Sequence, residues 1–438
     1  MVYIRGQAED YNQWSQLGNA GWSFADVLPF FRKAERNECL SDEYHGVDGP
    51  LNVAERNYTN PLSHVFVEAS QAAGIPYNPD FNGSTQHGCG LYQVTQKKGE
   101  RWSAAAAYLH PVADRPNLVI LTGAQASRLI LEKGRAVGID YTRNGERKSV
   151  RAECEVLLAG GAINSPHLLL LSGIGPADEL RAAGVDAIHD LPGVGKNLQD
   201  HLHVHVTQAA TQKITLDGSF GGLRVLQAVC QYALFKNGPC TSNVAEAGAF
   251  LSSNGDAQSP DIQFHFFPIQ VVDGGRTRAK GHGVTLHACC LRPESRGQLR
   301  LASVDPLAPP IIDPNYLAST YDLKIMIEGF KRTREVLSAK PMQPYLGDER
   351  LPGCEVKTDT QIEEYIRNNA ESEYHPVGTC KMGNDAAAVV DERLRVRGIE
   401  QLRVVDASIM PTLVSGNTNA PAIMIAEKGA AMILQDAP

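Results

Sequence analysis

Two stretches near the carboxyl end hold the residues best suited to proton chemistry. Histidine is the side chain whose ordinary pKa lies nearest neutrality. His375, in Tyr374-His-Pro-Val-Gly-Thr-Cys-Lys-Met-Gly383, is therefore suited to general acid or base work. On purely structural grounds the same residue is a histidine capping a loop beside Pro376. Val414-Ser-Gly-Asn417-Thr-Asn419-Ala-Pro421 offers two amides, and an amide can donate to an alkoxide oxygen without competing for its proton. Gly-Asn-Thr-Asn is equally an ordinary capping turn ahead of a helix.

His201, His203 and His205 project from one face of a strand, and imidazoles at i, i+2 and i+4 can converge on a metal. Only Asp200 accompanies them, and a strand spaces such side chains about 7 Å apart. A pocket or interface lining is the preferred reading, and no metal is expected. No Gly-x-Ser-x-Gly elbow occurs, which argues against a hydrolase of that type.

The elements that must position these residues fall into four regions. Residues 1–110 are rich in turns, such as Asp48-Gly49-Pro50 and Asn82-Gly83, and suit a covering and linker region with one helix from Pro61 to Ala73, stopped by Gly74. Residues 111–200 carry short strands (Leu118–Leu121, Arg128–Leu131, Ala136–Tyr141) and then the apolar strand Glu155–Ala159. A Gly160-Gly161-Ala162 turn follows, and Ser165-Pro166 reads as a helix start. Strand, glycine turn and helix are the grammar of a parallel α/β sheet. Residues 201–390 alternate with period two at His201–Val206, Ile262–Phe266, Val284–Ala288 and Gln298–Leu301, the pattern of half-buried strands in an antiparallel α+β domain. Residues 391–438 return to α/β grammar, with a strand Leu402–Val405 and a helix Pro421–Leu434. The expected fold is α/β plus α+β: a Rossmann-like nucleotide-binding domain from discontinuous segments, interrupted by a substrate domain on an antiparallel sheet.

Composition narrows the partners. The chain has 438 residues and a formal charge of −8, with no basic stripe, which argues against a nucleic-acid partner. Apolar runs such as Leu168–Leu171 are too short to span a bilayer, and the start lacks the apolar core of a secretory signal, so a cytoplasmic location is expected. The nine cysteines lack C-x-x-C spacing and read as reduced, mostly buried thiols. The apolar segment Gly222–Phe235 has little basic face for a membrane surface, and burial in the core or a lid is expected.

The run Gly161-Ala162-Ile163-Asn164-Ser165-Pro166-His167-Leu168-Leu169-Leu170-Leu171-Ser172-Gly173-Ile174-Gly175 resembles, at every position, a signature of the glucose-methanol-choline (GMC) oxidoreductase family. Arg101–Leu109, Leu191–His201, Ser295-Arg-Gly297 with Pro314–Leu317, and Tyr374–Gly383 look like further landmarks of that family in its usual order. The resemblance implies FAD as cofactor and oxidation of a primary alcohol to an aldehyde by hydride transfer to flavin N5. It makes His375 the base and Asn419 the amide facing the substrate oxygen. It places FAD against Gly161, Ala162, Asp406, Ala407, Asn417, Thr418 and, at the adenine, Ala126. Asp406 could instead be a plain helix cap. His45–Pro50, Gly88–Lys97 and Thr241–Ala247 look like the bacterial alcohol dehydrogenases that pass electrons to a membrane quinone, so a quinone or another acceptor and peripheral association with the inner membrane are implied. Choline dehydrogenase is the alternative. A catalytically silent fragment, or a lyase using His375, is the alternative of another class.

The family's strand, Gly-x-Gly-x-x-Gly turn and helix, which hold the FAD pyrophosphate, do not occur in this sequence. Met1-Val-Tyr-Ile-Arg-Gly6 resembles a segment that usually lies well inside family members. The expectation is a truncated enzyme with an incomplete FAD-binding domain that retains FAD weakly or not at all.

Overall fold

The computed structural model describes residues 1–219, 223–271, 277 and 279–436. Helices α1 (Ala8–Gln16), α2 (Phe24–Ala34) and α3 (Pro61–Ala72) come first. Asn60 Oδ1 accepts the Leu62 N–H at 3.0 Å ahead of Pro61, and Gly74, at φ +86°, ends α3. A short strand β1 (Gly88–Leu91) is followed by a three-stranded antiparallel meander of β2 (Ala124–Glu132), β3 (Arg135–Arg143) and β4 (Glu146–Arg151). Its tight turns, Lys133-Gly134 and Asn144-Gly145, have positive φ at both residues, as two-residue hairpins require.

Strand β5 (Val156–Leu158) leads through Gly160 into α4 (Gly161–Leu171). The substrate-side elements are β6 (Leu202–Ala210), α5 (Leu223–Phe235), β7 (Ala247–Leu251), β8 (Ile262–Phe267), β9 (Gly283–Cys290), α6 (Thr320–Ser338), β10 (Leu346–Leu351), α7 (Asp359–Asn369) and β11 (Glu371–Ser372). Strand β12 (Leu402–Val404) and helix α8 (Asn419–Asp436) close the chain.

The large sheet is antiparallel, in the order β10-β6-β9-β8-β7-β1, with β11 pairing the start of β6. Alternation sorts its side chains. Val204, Val206, Phe264, Phe266, Leu286 and Ala288 meet α3, α6 and α7 in one apolar core. The other face carries His203, His205, Gln263, His265, Thr285 and His287, and it is buried too. The sequence pattern anticipates half-buried strands; here both faces are covered, so the polar residues of the alternation form an interior wall. A second core joins α1, α2, α4, α8, β5 and β12. There β5 and β12 pair in parallel, Val156 against Leu402.

Several expectations are corrected. Leu118–Leu121 forms no strand and lies exposed, Val119 at 77%, because the chain there has no neighbour to pair with among the described residues. Gln298–Arg300 belongs to a separate hairpin with Ile311–Asp313, not to the large sheet. Helix α8 begins at Asn419, two residues before Pro421, and α4 begins at Gly161, so Ser165-Pro166 falls inside it. All nine cysteines are free, but only Cys89, Cys289, Cys290 and Cys380 are buried. Helix α5 is not a core helix: Leu226, Val229, Leu234 and Phe235 face outward, Leu234 at 73% exposure. Gly222, expected to open it, lies outside the described residues.

A buried charge network ties the first strand-like segment to the loops around it. Arg5 Nη2 meets Glu35 Oε2 at 2.5 Å, and His45 lies between Glu35 Oε1 and Asp80 Oδ2, 3.1 Å from each. Burial pulls the His45 pKa down, but the two carboxylates outweigh it and hold it up at about 9, against 6.5 unfolded. A raised folded pKa gives stability that is complete below about pH 6.5 and lost as pH climbs through about 9. The full shift corresponds to roughly 3 kcal/mol. We expect Tm to fall between pH 7 and 9.5 in the wild type and to fall distinctly less in His45→Gln; parallel Tm–pH curves would contradict the network.

Candidate active site

His375 leaves β11 through Tyr374, whose φ of +60° turns the chain sharply. Asp200 holds that turn: its Oδ1 accepts the His375 N–H at 2.8 Å, and its Oδ2 accepts the Tyr316 and Ser372 hydroxyls. Beyond the turn, Val377 bridges to Gln199, and Cys380 and Met382 donate to the carbonyls of Ser408 and Ile409. His375 is thus clamped between the large sheet and the segment after β12.

Its ring is buried, and the partners dictate where its protons sit. His201 Nε2 lies 3.0 Å from the Leu291 carbonyl, which can only accept, so Nε2 carries the proton. Burial lowers the His201 pKa, so the ring is neutral and its Nδ1 is a lone pair. That Nδ1 lies 3.0 Å from His375 Nδ1, which must therefore donate. Burial, with His201 beside it, holds the His375 pKa at about 3, so this ring is neutral too and its lone pair is at Nε2. Asn417 Nδ2 faces that lone pair at 3.3 Å, and Gln263 Nε2 donates to Asn417 Oδ1 at 3.2 Å, which fixes which way the amide points. The result is an unprotonated Nε2 with an amide N–H beside it, the pair that proton abstraction from an alcohol requires.

Asn417 is held from the far end of the chain. Asp10 accepts the Ser415 backbone N–H and hydroxyl, each at 2.7 Å, and Gln86 donates to the Ser415 carbonyl at 2.9 Å. The asparagine against His375 is therefore Asn417, not Asn419. Asn419 is the exposed first residue of α8, because the turn through Thr418 rotates it away from the base. Thr418 is half-buried, and its carbonyl accepts the Ala422 N–H to start the helix.

The other expected cofactor residues cluster at the start of α4. Asp406 caps rather than waits for a ligand: Oδ2 accepts the Gly161 N–H at 2.9 Å and the Ser165 hydroxyl at 2.5 Å, and Oδ1 accepts the Ser408 N–H at 2.8 Å. These bonds make Asp406 a cap of the α4 turn. Gly161, at φ +75°, has open space where a side chain would stand. Ala162 is buried, and the Ala407 carbonyl accepts the Gly378 N–H. Ala126 is half-buried on β2, the strand packed against α4. Pro166 lacks the N–H that would bond the Ala162 carbonyl, and Thr379 Oγ1 supplies that bond instead at 2.6 Å.

FAD fits part of this ground. The opening at Gly161 and the exposed N-terminus of α8 leave room and positive dipole for a flavin ring. The α4 N-terminus, occupied by the Asp406 carboxylate, is not an anion site. Asp200, His201, Gln263 and Asp10 were not anticipated as site residues. His201 ends the Leu191–His201 landmark, but nothing in the sequence announces which ring it faces.

A family model described as GMC oxidoreductase matches residues 1–203, and a second of the same description matches residues 293–426. The chain is 48% identical over 439 residues to an alcohol dehydrogenase [acceptor] of Pseudomonas putida, covering 99% of this chain and 80% of that one. It is 46% identical over 435 residues to a mitochondrial choline dehydrogenase of Mus musculus, covering 99% and 73%. The solved pyridoxine 4-oxidase from Mesorbium loti superposes with a TM-score of 0.90 at 29% identity, covering 100% of this chain and 82% of that one.

Thr379→Val keeps the shape and removes the donor, leaving the Ala162 carbonyl unpaired in the interior. We expect a loss of about 1–3 kcal/mol in denaturant unfolding, and an unchanged midpoint would show that the bond contributes nothing.

Proposed function

The chain belongs to the GMC oxidoreductase family, whose cofactor is FAD, and from that premise we propose that it oxidises a primary alcohol to an aldehyde with His375 Nε2 as the base. The observation that carries the reading is the proton chain Leu291 carbonyl, His201, His375, which leaves Nε2 unprotonated beside Asn417. FAD, when bound, supplies the acceptor for the hydride leaving the carbinol carbon.

The protein's own part follows from its hydrogen bonds. The substrate hydroxyl donates to His375 Nε2, where the proton is then held. His375 Nδ1–H stays bonded to His201, so the ring keeps its aim while it is charged. Asn417 Nδ2–H turns from the imidazole lone pair to the alkoxide oxygen, with Gln263 fixing the other end of the amide. Gly161, Ala162, Ala126, Ala407 and Thr418 are proposed to line the cofactor, with Asp406 holding the α4 turn in place.

Choline is the second reading, favoured by the 46% identity to a choline dehydrogenase. Steady-state oxidation of hexanol and of choline by the FAD-loaded protein, with an artificial dye as acceptor, separates the two. A quinone is proposed as the natural acceptor, and the outward-facing Leu226, Val229, Leu234 and Phe235 of α5 support an approach to a membrane surface. Among the described residues, no helix is long and apolar enough to cross a membrane.

His375→Ala is expected to lower kcat by about 10²–10⁴-fold, and Asn417→Ala by about 10²–10³-fold. Because a base must be unprotonated and His375 is held at about 3, kcat/KM should stay flat from pH 8 to pH 5 and fall only below that. An alcohol-dependent rate that survives His375→Ala would sink the assignment. We further propose that this chain holds FAD weakly, since it has no Gly-x-Gly-x-x-Gly turn and the glycine-led start of α4 is closed by Asp406. FAD added in excess should be lost on gel filtration; a stoichiometric yellow protein would overturn this.

A further inference from the structure

The buried polar face of the large sheet holds more imidazole than proton abstraction uses. His203 and His205 lie at i and i+2 on β6, and His287 stands directly across from His205 on the neighbouring antiparallel strand β9. Alternation therefore puts all three on one face, and one ring nitrogen from each falls within 4.8 Å of the others. All three residues are buried, and His205 Nδ1 and His287 Nε2 have no hydrogen-bond partner. Buried polar atoms are paired in the great majority of cases, so unpaired nitrogens gathered on one buried face point to something that pairs them. We propose that His203, His205 and His287 form a site for a divalent first-row cation, zinc foremost.

The surrounding chemistry suits a cation. Glu373 Oε1 lies 3.2 Å from His203 Nδ1 and 3.3 Å from His287 Nδ1. The carboxylate accepts the His287 Nδ1–H, which fixes that tautomer and leaves its Nε2 lone pair free, an outer-shell arrangement of histidine metal sites, while His203 Nδ1 has no hydrogen-bond partner. Glu373 also supplies a negative charge beside the ion. Three imidazoles with one open position are a common set for zinc. The His203 and His287 rings are stacked 3.9 Å apart and nearly parallel, so their in-plane lone pairs run side by side. One ring must swing about its χ2 for the three to converge. His201 does not belong to the set, because both its nitrogens are engaged by Leu291 and His375.

The inference does not rest on the redox reading, and its test reads metal rather than turnover. Chelator-treated, FAD-loaded protein is titrated with Zn²⁺ and with Co²⁺ alone. We expect about one equivalent of Zn²⁺ to survive gel filtration, and Co²⁺ to give the visible band of a low-coordinate site with nitrogen ligands and no thiolate charge-transfer band. His205→Asn should abolish both, and Glu373→Gln should weaken affinity by roughly 10–100-fold. Wild-type protein that retains no Zn²⁺, a thiolate band, or full retention in His205→Asn would each overturn the site. Should His205→Asn fail to fold, as circular dichroism would report, the wild-type cobalt spectrum and the Glu373→Gln affinity decide it.

Discussion

Two buried, neutral imidazoles bonded Nδ1 to Nδ1 are the constraint on which the site depends. The contact is attractive only if one ring donates and the other accepts, and the Leu291 carbonyl decides which. Charging His201 at rest would bring two donors face to face, and charging His375 would leave a cation buried inside the protein. Burial, the largest influence on both rings, keeps that state out of reach near neutrality. The price is basicity: a histidine held at about 3 is a weak base in the resting protein.

The fold supplies this pair from elements that are remote along the chain. His201 stands at the entry to β6, His375 follows β11, which pairs with β6, and Glu373 donates its N–H to the His201 carbonyl. One sheet edge therefore sets the distance between the rings. Asp200 then fixes the backbone of His375, and the α4 region fixes what lies behind it through Thr379 and Asp406. Each tie is a single side chain bridging two segments that sequence order separates by well over a hundred residues.

This division explains what could be read from the sequence. The α/β and α+β alternation was legible because hydrophobic periodicity is local: β6, β8, β9, β5 and α3 lie within a few residues of their expected positions. His375 was legible because its neighbours Pro376 to Gly383 form a distinctive run. Asn417 and Asn419 were not separable, since both sit in one polar turn and only the three-dimensional course through Gly416 and Thr418 decides which amide turns inward. Ser165-Pro166 misled because its signals are those of a helix start, and only tertiary contacts from Thr379 and Asp406 allow the helix to begin earlier. The strand at Leu118–Leu121 misled for the opposite reason: apolar composition asks for a partner, and none of the described residues provides one. His201, Asp200 and Glu373 were invisible because their roles are long-range pairings.

The same division separates the base from the cofactor. Every group that sets the tautomer of His375 comes from the large sheet, from the Asp200 turn or from the Ser415 loop held by Asp10. None comes from β5, β12 or the α4 turn, where the nucleotide-binding grammar lies. The histidine wall is closed on both faces. Loosening the nucleotide-binding side should therefore leave the proton chain assembled. The imidazole pair is a property of the substrate-side core.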